Sequence, residues 1–134
     1  MPPPQRIQSN WSNQGLRVRA ILLLLLVGVP ANAEGYQPIK EESEFVAKLD
    51  GRDLRINMFN LTLLVASDGA ITGSALGWSV TGNWYWQDGY FCRQMDWSGT
   101  PIPHNCQLVE SLGSKKMRFT TDRGAGESAT FDMR

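Results

Sequence analysis

Beyond Leu54, short apolar runs alternate with turn-forming residues so closely that helices of ordinary length do not fit between them. Asp88-Gly89 is the clearest break, because an Asp-Gly pair accepts the positive φ angles of a two-residue hairpin. It joins NWYWQ to YFCRQMDW. Ser67-Asp68-Gly69, Leu112-Gly113-Ser114 and residues 122–126 (DRGAG) mark further turns, and Gly77 and Gly82 read as bends or bulges. Between these points lie candidate strands at 61–66, 70–76, 78–87, 90–97, 106–111, 115–121 and 128–133. Alternation sets their faces: Trp84 and Trp86 share one side with Tyr85 opposite, as do Met117 and Phe119, and Ala129, Phe131 and Met133. Residues 98–105 (SGTPIPHN) read as a loop kept out of the sheet by Pro101 and Pro103. The expected fold is mainly β: an antiparallel meander of six or seven short strands forming a small barrel or a bent sheet.

One short N-terminal helix precedes the strands. Residues 34–40 read as an extended lead-in, because Pro38 opposes helix at Gln37. Residues 41–50 (EESEFVAKLD) place acidic side chains in a first turn, where they suit the helix dipole. Phe45, Val46 and Leu49 fall on one face, and Gly51 supplies a stop.

The first 33 residues have a different character. Residues 1–19 carry Arg6, Arg17 and Arg19 and no acid, residues 20–29 (AILLLLLVGV) are apolar, and Pro30 is followed by Ala31-Asn32-Ala33 before Glu34. This is the pattern of a secretory signal peptide cut between Ala33 and Glu34. The apolar run is shorter than the ~20 residues of a spanning helix, so no stable membrane insertion is expected after cleavage. The expected domain organisation is a signal peptide at 1–33 and one β-rich domain at 34–134. The expected location is periplasmic or extracellular.

Removing the three N-terminal arginines leaves ten basic and 13 acidic residues, a net charge of −3. That balance speaks against a nucleic-acid partner. Cys92 and Cys106 are the only cysteines. In an oxidising compartment two cysteines most simply pair. The alternatives are two free thiols or a metal site with His104, for which no convincing fourth ligand stands near, so no metal is expected.

Seven aromatic residues lie between Trp78 and Trp97. Trp84 and Trp86 suit a core, whereas Tyr85 and Trp97 are the first candidates for ligand contact. Arg93 and Arg118 fall on strands, and Arg123 precedes Gly124-Ala125-Gly126, a turn whose N–H groups suit an anion. The ordinary alternative pairs Arg123 with Asp122 or Glu127. His104, the only histidine, follows Asp96 closely enough for acid–base work, although a lone loop histidine is more often simply solvated. The ligand-binding candidates are therefore Tyr85, Arg93, Trp97, His104, Arg118 and Arg123. No catalytic residue can be assigned, because no G-x-S-x-G or other catalytic signature is present.

The segments GNWYWQDGYFCRQMDWSG, NCQLVE and MRFTTDRGAGESATFDMR resemble a group of small exported proteobacterial proteins often labelled dihydrodipicolinate reductase. The resemblance runs over about residues 44–134. It implies a family and an exported location, and its label implies a nicotinamide-dependent reductase. The chain departs from such an enzyme: it has no G-x-G-x-x-G between a strand and a helix and no paired histidines. No cofactor is therefore expected. The leading expectation is an exported disulfide-containing β domain that binds a small molecule or a cell-envelope component. The alternatives are the labelled reductase, a hydrolase using Asp96, His104 and Arg118, or a structural protein that pairs an edge strand with a partner. The signal reading makes one firm prediction: Edman or mass-spectrometric sequencing of the exported protein should begin at Glu34, and an N-terminus within residues 1–30 would refute it.

Overall fold

Tight turns set the frame of the molecule. The computed structural model describes residues 35–134, so the expected signal peptide at 1–33 and its expected cleavage point lie outside the described residues. In chain order the elements are β1 (Gln37–Ile39), α1 (Glu42–Leu49), β2 (Leu54–Ile56), β3 (Leu61–Val65), β4 (Ala70–Ala75), β5 (Trp78–Gln87), β6 (Tyr90–Trp97), β7 (Thr100–Leu112), β8 (Lys116–Thr120) and β9 (Ser128–Met133). Short 3-10 turns at Asn57–Phe59 and Asp122–Gly124 follow β2 and β8. The β4–β5, β5–β6 and β6–β7 connections are two-residue turns: Leu76-Gly77, Asp88-Gly89 and Ser98-Gly99. Each holds both residues at positive φ, the geometry whose twist matches the flanking strands.

Every strand from β2 to β9 pairs antiparallel with the next, and β9 returns to β2. The result is a closed eight-stranded barrel, with β1 added alongside β7. Closure leaves no full-length open edge on the ring. β6 follows β7 as far as Gln107, and β1 takes up the same side of β7 from Val109 to Ser111.

Alternation then sorts the side chains. Val80, Gly82, Trp84 and Trp86 of β5 lie opposite Trp97, Met95, Arg93 and Phe91 of β6, on the inner face. Gly82 is needed there because a Cβ would collide with the Gln94 carbonyl and the Met95 side chain. Gly82 is thus a point of close strand approach within a continuous ladder, without a bulge.

α1 covers one end of the barrel with its apolar face. Phe45 is fully buried, and its ring centroid lies 5.3 Å from Trp84, 5.1 Å from Trp86 and 5.1 Å from Phe91. The indoles are tied down at the same time: Trp84 donates to the Ala66 carbonyl (2.8 Å) and Trp86 to the Lys40 carbonyl (3.0 Å). Leu49 is also buried, and Gly51, at φ 68°, ends the helix as its sequence position suggests. The core assignment of Trp84 and Trp86 holds, Trp86 as a partly buried neighbour of the cluster.

Two expectations are overturned. The helix does not precede all the strands, because part of the extended lead-in pairs with β7 as β1. Residues 100–105 are not a loop but the first half of the 13-residue β7, containing both Pro101 and Pro103. β8 meets β7 only from Leu108 onward, so this half pairs with β6 on one side alone. Prolines two residues apart place their missing donors on the same edge, and here that is the unpaired edge. The register also slips between Arg93/Asn105 and Met95/Ile102, which puts a bulge at Pro103-His104.

Residues 34–134 form a compact unit with its own hydrophobic core, which is what a segment needs to fold alone. Phe45→Ala in this domain should lower stability by about 3–5 kcal/mol, read from the denaturation midpoint. A loss below about 1 kcal/mol would show that the helix is not anchored as described.

Candidate functional site

The inner wall of the barrel is not filled to its full height. Beneath the aromatic layer around Phe45 lies a cavity of about 160 Å³, bounded by Leu54, Leu63, Ile71, Phe91, Met95, Phe119 and Phe131. Two polar residues interrupt this apolar lining: Arg93 and Gln107. At the end away from α1 a second hollow of about 290 Å³ shares Leu63, Met95 and Phe131 with the first. Phe59, Leu61, Leu76, Trp97 and Ile102 form its mouth, and its lining is wholly apolar. Together the two reach the lower part of the ~300–1,000 Å³ range of small-ligand sites.

Arg93 is placed there by strand alternation, between Phe91 and Met95 on β6 and opposite Trp84 and Asn105. Its Nη1 donates to the Pro103 carbonyl at 2.6 Å, at the β7 bulge. Among the described residues it has no carboxylate partner. Burial lowers its pKa by desolvation, yet a guanidinium remains charged at any ordinary pH. The site therefore holds a half-buried, unneutralised cation in an apolar wall. Removing a charge from water without an opposite charge is costly, and an anion entering the cavity would offset that cost.

Of the other sequence candidates, only Trp97 shares this region. It lies at the mouth, with its indole N–H on the Ala75 carbonyl (3.0 Å). Tyr85 and His104 meet on the outer wall instead. The phenol and His104 Nε2 are 2.7 Å apart, and the rings stack at 5.8 Å. Next to this pair, Cys92 and Cys106 are joined in a disulfide between directly opposed residues of β6 and β7. With both sulfurs bonded to each other, neither is available as a thiolate metal ligand, although the sulfurs and a His104 nitrogen lie within 4.8 Å of one another.

Arg118 is neutralised on the outer wall by Glu110 (3.0 Å) and lies over the Tyr36 ring at 4.0 Å. Arg123 lies over Tyr90 at 5.3 Å and forms no ion pair with Asp122 or Glu127 among the described residues. Arg93 and Arg118 are on opposite faces of the barrel wall, so the two do not form one anion site. The hydrolase set also comes apart. Asp96 accepts the Gly99 N–H at 2.7 Å, while His104 is bound to Tyr85 and Arg118 to Glu110.

Sequence reasoning did not single out Gln107, Met95 or the mouth residues other than Trp97. The period of two in FCRQMDW does place Arg93 with Phe91 and Met95. Closure of the barrel is what turns that shared face into a cavity. No protein family, curated protein or solved structure matches the chain.

Thiol titration under denaturing conditions should find no reactive cysteine before reduction and two afterwards. One or two reactive thiols in the untreated protein would remove the Cys92–Cys106 bond.

Proposed function

We propose that this disulfide-containing barrel binds a small amphipathic anion, with its carboxylate at Arg93 and its apolar tail directed to the mouth. The observation that carries this reading is a charged guanidinium without a carboxylate partner among the described residues, set in an otherwise apolar cavity. Arg93 spends one donor on Pro103, and its planar fork has further donors suited to a carboxylate. Gln107 adds an amide to the same wall. The walls offer dispersion and burial to a hydrocarbon chain and no second charge to a doubly charged ligand. We place this activity outside the cytoplasm. The disulfide is compatible with an oxidising compartment, and the N-terminal sequence has the pattern of an export signal. The reading is one of binding, with no bond made or broken.

Octanoate and 1-octanol, titrated calorimetrically into the residue 34–134 domain, separate the headgroup from the tail. A charge-assisted hydrogen bond is worth about 1.5–3 kcal/mol, so octanoate should bind about 10- to 100-fold more tightly. Arg93→Gln should erase that preference and Arg93→Lys should keep part of it, with thermal melts confirming that both variants fold. Absence of octanoate binding at millimolar concentration, or equal binding by Arg93→Gln, would overturn the proposal.

A further inference from the structure

The mouth of the barrel is ringed by large apolar side chains that are largely exposed. Met58 is 83% exposed, Trp78 63%, Leu76 57% and Phe59 48%. They sit on adjoining connections: the 3-10 turn at Asn57–Phe59 and the Leu76-Gly77 turn with Trp78 just after it. These two connections are tied by the Leu76 N–H on the Phe59 carbonyl (3.0 Å). The Ser98-Gly99 turn stands next to Trp78, and Trp78, Trp97, Ser98 and Thr100 line a shallow hollow there.

Three further features bear on what this end of the barrel meets. Residues 57–61, 74–79 and 97–102 contain no Asp, Glu, Lys or Arg, in a domain otherwise rich in surface charge. The connection at 121–127 does carry Asp122, Arg123 and Glu127, but it packs back on the outer wall, with Gly124 near Leu108 and Arg123 over Tyr90. Leu76 occupies a left-handed backbone position (φ 51°), where Asn, Asp or Gly is the ordinary choice. A leucine there costs stability and presents its side chain to solvent, which folding alone does not require. Finally, the indoles of Trp84, Trp86 and Trp97 each donate to a backbone carbonyl. The Trp78 indole has no such partner among the described residues, and Ser98 and Thr100 line the same hollow as its ring.

We infer that this uncharged end docks on the surface of a lipid bilayer, with Met58, Leu76 and Trp78 entering the interface. The inference rests on the ligand reading above, since the cavity for an amphiphile opens through this same end and a bilayer is where amphiphiles reside. Apolar tips around an indole whose N–H has no partner among the described residues suit the boundary between headgroups and acyl chains, where tryptophan concentrates. The absence of lysine and arginine from the tips favours a neutral surface over an anionic one, because basic residues are what anionic lipids attract. Docking would let a ligand pass between bilayer and cavity without crossing water.

Sucrose-loaded vesicles of pure phosphatidylcholine, sedimented with the residue 34–134 domain, test the inference. The domain should co-sediment, and brominated phosphatidylcholine should quench its tryptophan emission. Replacing a third of the lipid by phosphatidylglycerol, or adding 0.5 M salt, should change binding by less than about twofold. Met58→Ser/Trp78→Ser should lower binding at least tenfold without changing octanoate affinity in free solution or the melting temperature. Three results would overturn the inference: no binding to phosphatidylcholine, binding that requires phosphatidylglycerol and is lost in salt, or equal binding by the double variant. A self-association that the double variant abolishes, without vesicle binding, would assign the surface to a second copy of the chain and overturn it as well. The two proposals fail separately. A domain that binds octanoate but not vesicles refutes docking alone, and one that binds vesicles but not octanoate refutes ligand passage through the mouth.

Discussion

Closure of the sheet through β7 is the constraint on which the rest of the structure depends. This 13-residue strand pairs with β6 along its first half, and with β8 and β1 along its second. A one-residue slip against β6 would turn every inward side chain outward. The disulfide opposes such a slip, because Cys92 and Cys106 are directly paired across the two strands. In the chain-entropy argument a loop of this length adds about 3 kcal/mol. The same register holds Arg93 and Gln107 on the inner face, so the bond on the outer wall indirectly fixes the chemistry of the cavity.

The two ends of the barrel then take different roles. At one end α1 inserts Phe45 among Trp84, Trp86 and Phe91, and the interior there is solid. Toward the other end no element among the described residues covers the opening, and the lining passes from Phe91 and Phe119 to Met95, Phe131 and Trp97. Packed rings fill one end, while the other keeps an unfilled volume with Arg93 in its wall. The bulge at Pro103-His104 links the two halves of the design. It presents the carbonyl that orients Arg93 inside and the imidazole that meets Tyr85 outside.

Much of the fold is legible in the residues because turns are local. Asp88-Gly89 announces a hairpin through its φ requirements alone, whereas Gly77, read as a bend or bulge, proves to be half of a two-residue turn; α1 is marked by its acidic first turn and the glycine that follows it. Pro101 and Pro103 mislead for an instructive reason. A proline forbids pairing only on the side where its N–H would point, and which side is unpaired depends on where β8 stops. Tyr85 was correctly assigned to a surface, since Trp84 and Trp86 occupy the alternate face. That Arg93 faces an empty volume while Arg118 faces Glu110 and Tyr36 depends on neighbours far away in sequence.

The sequence by itself determined most of the strand pattern, the Asp88-Gly89 hairpin, the core tryptophans and the pair of cysteines available for oxidation. These follow from side-chain period, backbone φ preferences and thiol chemistry, which act over a few residues. Only the tertiary structure decided that the meander closes into a ring, that β7 runs through its prolines, and that one arginine of three is left uncompensated beside a cavity. Those outcomes depend on the pairing of β9 with β2 and of β7 with β8. A void or an unpaired charge is a property of all the surrounding walls at once, and no local stretch of chain encodes it.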